Sequence, residues 1–413
     1  MALTESALDP AALDGAFDRL RTHFQPIVAL DDRRIVGYEA LTRGPQDTPL
    51  ERPDLLFDAV RRVGRVAELD WACQAAALRT VLNSDLRAPQ RLFINIEPES
   101  GGRSPVALRA LYGEALKRLD IVLEVTERAL TTRPSELLQL VCEHRELGCR
   151  IALDDVGADP RSLAMMAFLA PDVIKLDLRL VQSNPSVEIA AIVAAVNAQA
   201  EQTGAQVLVE GIETEEHHAM AVAMGASFGQ GWLFGRPAPL DGPEGAPAAE
   251  LPSFAGRVAA RMSPFELVRE RRPTQISTKP LLFAMSKHLE NQAAALGDTA
   301  VLLATFEDNA YFTPATRSRY ARMAGGLAFC GALARGLSAE PAAGVRGRSL
   351  TAGDPLAREW DVAVVSPHFA GALIARDLGD TGPDAERRFE YVVTYDRELV
   401  VAAASALMAR MTT

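Results

Sequence analysis

Six carboxylates and one amide stand at or just beyond the ends of short apolar, strand-like runs. They are Glu39 in Gly37-Tyr38-Glu39-Ala40-Leu41, Asn95 closing Leu92-Phe93-Ile94, Glu124 closing Ile121-Val122-Leu123, the pair Asp154 and Asp155 after Ile151-Ala152-Leu153, and Glu210 with Glu213 after Val207-Leu208-Val209. Acids gathered at one spot repel each other and resist ionisation unless cations sit among them. Carboxylate and amide oxygens are hard donors, and no clustered His or Cys accompanies them. The pattern therefore asks for divalent metal of the Mg2+ or Mn2+ kind.

The elements that must gather these residues alternate short apolar runs with longer helical patterns from residue 24 to about 235, which is the pattern of parallel strands joined by crossover helices. Eight strands are expected: Phe24 to Ala29, Ile35 to Leu41, Leu92 to Ile96, Ile121 to Thr126, Arg150 to Asp154, Val173 to Leu176, Gln206 to Glu210, and a short one near Ser227 to Gly229. Leu30 to Arg34 is too short for a helical crossover, so the first two strands form an antiparallel hairpin. Helices are expected over Leu55 to Val63, Ala67 to Leu82, Leu108 to Lys117, Ser135 to Leu147, Val187 to Thr203 and Glu215 to Met224. The fold class is α/β, a modified (β/α)8 TIM-like barrel with an antiparallel first hairpin. In such barrels active sites collect at the C-terminal ends of strands, so acids there read as catalytic rather than as ordinary loop charge.

A chain of 413 residues with 48% hydrophobic content suits one large and one ordinary domain. The expected division is a barrel over 1–240, a linker and connecting helix over 241–274, and a smaller α/β or α+β sensory domain over 275–413. Pro237 to Pro252 carries five prolines and two glycines, as a linker does, and Phe254 to Arg272 reads as a basic packing or spacer helix. Beyond it the pattern predicts helix Lys279 to Leu296, strand Ala300 to Phe306, helix Thr316 to Leu337, strands Asp361 to Ser366, Phe369 to Arg376 and Phe389 to Thr394, and a last helix Arg397 to Met411.

A net charge of -11 without a Lys/Arg-rich run argues against binding a DNA or RNA polymer. No apolar stretch reaches 18 residues and the first residues lack the features of a signal peptide, so the chain reads as soluble and cytoplasmic, with no membrane segment. Cys73, Cys142, Cys149 and Cys330 are too few and too scattered for a disulfide framework. Cys142, His144 and Cys149 lack the paired spacing of a zinc site, and His288 and His368 read as packed or surface residues.

Further segments complete an ordered set: Gln25-Pro26-Ile27-Val28, Glu39-Ala40-Leu41-Thr42-Arg43, Asn95, Glu124-Val125-Thr126-Glu127, Asp154-Asp155, Lys175-Leu176-Asp177, Glu210-Gly211-Ile212-Glu213 and Gln230-Gly231-Trp232-Leu233-Phe234. Over about residues 20 to 240 this set resembles an EAL domain, the bacterial phosphodiesterase that linearises cyclic di-GMP. The resemblance implies two Mg2+ or Mn2+ ions, with Glu39, Asn95, Glu124 and Asp154 holding one and Asp154 and Asp155 the other. It implies that Lys175 steadies charge and orients the attacking water, that Glu210 acts as general base or water ligand, and that Glu39 belongs with them to the catalytic set. Arg43, Gln25, Leu41, Asp177 and Gln230 would meet the cyclic di-GMP, while Glu127 and Glu213 would steady the metal ligands from behind. Two cations about 3.5 to 4 Å apart can activate a water, neutralise phosphate oxygens and stabilise a leaving 3′-oxygen. A homodimer is implied as well.

The chain departs from the family in the loop after the paired aspartates. It reads Val156-Gly157-Ala158-Asp159-Pro160-Arg161-Ser162-Leu163 where family members usually carry Phe-Gly-Thr-Gly-Tyr-Ser-Ser-Leu. In the family this loop couples dimer contacts to metal and substrate binding, so regulation and rate are the properties that the change touches. The C-terminal part resembles a DICT sensory domain through Thr278-Lys279-Pro280-Leu281-Leu282, Ala284-Met285-Ser286-Lys287-His288-Leu289-Glu290 and Phe306-Glu307-Asp308. Two functions are implied: hydrolysis of cyclic di-GMP to linear pGpG under control of the C-terminal domain, or a silent cyclic di-GMP receptor that signals through that domain. The retained acids favour hydrolysis, because a receptor with no use for two metals gains nothing from crowded charge.

Overall fold

The computed structural model describes residues 10–88, 90–97, 104–126, 134–159, 161–240 and 262–411. Its first part is a closed barrel of eight strands in chain order. These are β1 (Arg21–Ala29), β2 (Ile35–Arg43), β3 (Arg91–Asn95), β4 (Asp120–Thr126), β5 (Arg150–Val156), β6 (Val173–Leu176), β7 (Gln206–Val209) and β8 (Phe228–Gln230). β1 runs antiparallel to both β2 and β8, and all other neighbours pair in parallel. The hairpin expected from the short Leu30 to Arg34 connection is present.

Around the strands lie α1 (Pro10–Phe17), α2 (Pro53–Arg62), α3 (Val66–Leu82), α4 (Val106–Ala115), α5 (Pro134–Leu147), α6 (Arg161–Leu169), α7 (Arg179–Gln182), α8 (Val187–Thr203) and α9 (Glu215–Ala223). The start and stop of α8 are legible in the sequence. Ser186 caps its first turn by accepting from the Ile189 N–H, and Gly204 takes the left-handed conformation at φ 76 that closes it. α6 falls in a gap where the sequence pattern predicts no helix. Its residues Ser162 to Leu169 are all buried, so it shows no polar face and hence no amphipathic period.

Successive side chains on a strand point to opposite faces, so residues two apart share one. Ile27, Phe93, Val122, Ala152, Val173, Leu208 and Phe228 form a compact apolar cluster inside the barrel. Two residues from each of these on the same strand, or one step past its end, stand Gln25, Asn95, Glu124, Asp154, Lys175, Glu210 and Gln230. The barrel thus has an apolar floor and a polar layer one step above it, at the C-terminal mouth. Because β1 runs the other way, its polar residue precedes the floor residue instead of following it.

The second part is a seven-stranded sheet in the order β12-β11-β10-β13-β14-β15-β9. Its strands are β9 (Gln275–Thr278), β10 (Val301–Asp308), β11 (Phe329–Arg335), β12 (Arg346–Ser349), β13 (Glu359–Val365), β14 (Ala370–Asp377) and β15 (Arg388–Thr394), with α10 (Pro264–Arg269), α11 (Lys279–Leu296), α12 (Pro314–Ala324) and α13 (Arg397–Met408). The expected helix Thr316 to Leu337 is corrected to α12 followed by β11. Gly325 and Gly326 end the helix, and the apolar run after them is a strand paired in parallel with β10 and β12. A strand buried on both faces lacks alternation, and in sequence it looks like the apolar face of a helix. β9 and β12 carry no strand signal either, each being short and polar. Of the connecting segment, 241–261 lies outside the described residues. Next in the chain is α10, which begins with a capping box between Ser263 and Glu266 and buries Phe265 and Val268. Ala238 and Phe24 bond in both directions, which ties the segment after β8 back to β1.

The two parts share one apolar core. α6 packs on β5 and α8 of the barrel on one side and on Gly297–Thr299 and α13 of the sheet domain on the other. In the sheet domain Asp361 is fully buried on β13, and burial, reinforced by the nearby Glu359, raises its carboxyl well above the usual range. A folded carboxyl raised above its unfolded value keeps a proton that the unfolded chain releases, so its contribution to stability falls as pH rises above about 4. Asp361→Asn mimics the protonated form. We expect it to be more stable than the parent by about 1–2 kcal/mol at pH 8, with the difference vanishing near pH 4, as read by urea unfolding at both pH values.

Candidate active site

Lys175, 0% exposed, fills the middle of the polar layer. Its Nζ lies 2.6 Å from Glu124 Oε1, 2.7 Å from Glu210 Oε1, 3.1 Å from Asp154 Oδ1 and 3.8 Å from Glu39 Oε2. Burial alone would lower the ammonium's pKa, but Asp154, Glu124, Glu210 and Glu39 together hold it well above its usual value. Among the described residues the lysine is the one strand-end cation between these acids.

Glu39 is fixed from two sides. Asn95 Nδ2 donates to its Oε1 at 2.9 Å and Gln230 Nε2 to its Oε2 at 2.6 Å. Gln230 also donates to Gln25 Oε1 at 3.1 Å, and Gln25 Nε2 donates to the Gly235 carbonyl at 3.0 Å. Burial pushes Glu39 up, but Lys175 and the amides of Gln230 and Asn95 outweigh it and hold the carboxyl low. Glu124 has no such amides. Burial and the neighbouring Glu39 raise it well above the carboxylate range, against the pull of Lys175. Burial likewise pushes Glu210 up to about 8, opposed by Lys175 and reinforced by Asp154 and Glu39. The backbone N–H of Glu210 donates to Leu176 O at 3.1 Å, carrying the ladder one residue past β7.

Asp154 and Asp155 are adjacent in a strand and should face opposite ways. A bulge resolves this: register passes from Leu153 opposite Ile174 to Val156 opposite Leu176, so two residues oppose Lys175 alone. Asp155 takes the left-handed conformation at φ 59, one that Asp tolerates better than most residues. As a result oxygens of Asp154, Asp155 and Glu210 all come within 4.8 Å of each other.

The donor set fits a hard divalent cation. Every candidate ligand offers oxygen, and both oxygens of Glu124 and Oδ1 of Asp154 are buried, with Lys175 as the cation that faces them. Their contacts with Lys175 are ion pairs. A carboxyl that holds a proton near pH 8 must surrender it to a metal, so binding and proton release are linked. The sign is fixed by the direction of the shift. Glu210 is raised above its unfolded value of 4.5, so the metal-free fold loses stability as pH rises from about 4.5 through 8, while affinity for metal grows over the same window. Titration calorimetry with Mg2+ at pH 6, 7 and 8 is expected to show affinity rising by up to about tenfold per pH unit, levelling above pH 8, with proton release detected from the dependence on buffer.

The other expected site residues divide. Arg43 and Leu41 share the inner face of β2 with Glu39, and Arg43 Nη1 donates to the Thr42 carbonyl at 2.8 Å. Gln230 bonds Glu39 directly, and Gln25 accepts from Gln230 behind it. Asp177 Oδ1 accepts from the backbone N–H of Arg179 at 2.8 Å and from its Nε at 2.9 Å, and so opens α7. Glu213 is exposed. Glu127 and Pro160 lie outside the described residues. Among residues that the sequence pattern does not single out, Arg21 and His23 stand opposite Arg43 and Leu41 in register. They escape because the start of β1, rather than its end, is at the mouth, and the hairpin is the available signal. His144 packs edge-on against Tyr112, in keeping with a packing role rather than zinc ligation, and His288 and His368 are exposed.

The family model of the EAL domain matches residues 11–237. The chain belongs to the EAL-domain family. A second family model, described as a sensory domain in diguanylate cyclases and two-component systems (DICT), matches residues 265–378. The EAL barrel is 32% identical over 225 residues to the cyclic di-GMP phosphodiesterase RocR of Pseudomonas aeruginosa, covering 52% of this chain and 57% of that protein. It is 29% identical over 224 residues to the probable cyclic di-GMP phosphodiesterase PdeB of Escherichia coli, covering 53% of this chain and 43% of the relative. The chain thus spans about half the length of these curated relatives. Among solved structures, the manganese and cyclic di-GMP complex of Klebsiella pneumoniae BlrP1 at pH 9.0 is 29% identical, with 53% of this chain and 56% of that chain covered and a TM-score of 0.46. Among the described residues no helix is long and apolar enough to cross a membrane.

Proposed function

We propose that this chain hydrolyses cyclic di-GMP to linear pGpG with the help of two Mg2+ or Mn2+ ions, as a cytoplasmic homodimer whose barrel is controlled by the DICT domain. The observation that carries this reading is the ring of acids around Lys175 at the mouth of an EAL barrel. The names of RocR and PdeB as phosphodiesterases support it. In this reading 1–240 is the catalytic unit, 241–274 the connection and 275–413 the sensory unit.

Glu39, Asn95, Glu124 and Asp154 would hold one ion, with Asp154, Asp155 and Glu210 about the other. Bound there, the ions supply charge for the phosphate and acidify water. The chain's own residues do the rest. Water attacks phosphorus, the bond to the 3′-oxygen breaks, and that oxygen leaves with a proton to give a free 3′-hydroxyl beside a new 5′-phosphate. Glu210, deprotonated once the ions bind, would accept the proton of the water. Lys175 offsets the negative charge that builds on phosphorus. Arg43 at the rim suits a phosphate or a guanine edge through its planar fork. Gln25 and Gln230 keep Glu39 aimed. Control by the DICT domain would run through α6, which comes soon after the paired aspartates and touches both parts.

One assay decides between this and a receptor that binds without cleaving, a reading favoured only by the changed loop after Asp155. The full chain is incubated with cyclic di-GMP and Mg2+ or Mn2+, and products are separated by chromatography. Linear pGpG that disappears with a chelator is expected. Metal-independent binding with no product would overturn the enzyme reading, and a monomer at working concentration by sedimentation would remove the dimer.

A further inference from the structure

We propose that the C-terminal domain binds a small, neutral aromatic compound bearing one hydrogen-bonding group, in a cavity between α11, α12 and the sheet. The cavity measures about 360 Å³, within the range of small-molecule sites. Its wall carries six aromatic side chains, Phe283, Phe306, Tyr311, Tyr320, Trp360 and Phe389, beside seven charged ones. Phe306 and Tyr320 meet edge to face at 5.5 Å, as do Trp360 and Phe389 at 5.5 Å, an arrangement that offers ring faces and edges to a planar guest. Phe283 and Tyr311 stand 44% and 40% exposed, which places apolar surface where a guest would enter.

One buried hydroxyl lines this cavity without a hydrogen-bond partner, that of Ser286. The Tyr320 hydroxyl is held by Glu290, and burial, then that carboxylate, raises the phenol well above its usual range. An unpaired buried hydroxyl costs free energy that a guest with one polar atom would recover. Charge in the lining is already matched: Arg319 is paired with Glu290 at 2.6 Å, Arg387 with Glu307 at 2.9 Å, and Lys279 with Asp384. The remaining cation of the lining, Lys287, is exposed and lies over the Phe283 ring at 4.6 Å. Among the described residues of the wall no buried ion is left to select a charged guest, which argues for a neutral one. Glu307 adds an independent sign. It adopts φ 24, rare for a residue with a side chain, where β10 shifts register against β11, and such strain gathers at ligand sites.

The site lies in the other domain from the acids, so binding is read without turnover, and failure here leaves the phosphodiesterase reading standing. The probe is 2-naphthol, titrated into the full chain and followed by calorimetry. One molecule per chain is expected, with Kd at or below about 100 µM. Ala315→Trp, at an exposed part of the rim, should abolish binding. Ser286→Ala should weaken it roughly five-fold, while leaving the ligand-free chain at least as stable, because the lost hydroxyl has no partner there. Naphthalene-2-sulfonate should bind at least about tenfold more weakly, its charge having no partner inside. Absence of binding at about 1 mM, binding indifferent to Ala315→Trp, or a preference for the sulfonate would each overturn the proposal.

Discussion

Lys175→Met is expected to lower the stability of the metal-free chain by about 3–5 kcal/mol, because it leaves four crowded acidic side chains facing one another with no cation between them. Against a total of about 5–15 kcal/mol for a folded domain, that is a large share. The loss should appear in urea unfolding with a chelator present and shrink when Mg2+ is in excess, since the ions replace the missing charge. Turnover should fall by at least about 10²-fold even with metal, as the ammonium no longer offsets charge on phosphorus. Equal stability of variant and parent in chelator would show that the ammonium does not compensate the acids.

Glu39→Ala should cost more in rate and far less in stability. The carboxylate is a proposed ligand and the point on which Asn95 and Gln230 converge, so its removal frees both amides and unseats Gln25 behind them. Metal affinity is expected to fall by about 10- to 100-fold or more and turnover by at least about 10³-fold. Without metal, relief of charge crowding offsets the lost hydrogen bonds, and unfolding should move by less than about 1 kcal/mol. The two variants are thus both inactive yet separate on the stability axis. A Glu39→Ala chain that still cleaves at the parent rate would remove this residue from the site.

The barrel and most of its polar layer are legible because both obey simple periods. A site residue two positions beyond a floor residue reads as an apolar run ending in a polar letter, as in Phe93-Ile94-Asn95 and Val122-Leu123-Glu124. Asp155 obeys a different rule. Its position depends on a backbone bulge, at which the doublet hints only in that adjacent strand residues cannot otherwise serve one centre. The C-terminal part is less legible for the opposite reason. β11 is buried on both faces and so carries no alternation, and only Gly325-Gly326 marks where helix gives way to strand. The roles of Gln25 and Gln230 in aiming Glu39 depend on contacts between residues some 200 positions apart, which no local pattern encodes.

Burial of α6 on every side has a practical consequence for anyone wishing to dissect the protein. Severing the chain after the barrel would strip the cover from a helix containing Met165, Met166 and Phe168, turning an interior into an adhesive outer face. Such a fragment would clump or pair with itself for reasons unrelated to signalling, and its rate would report that artefact. Questions about how one half governs the other therefore belong to the intact polypeptide, probed by point changes and small molecules.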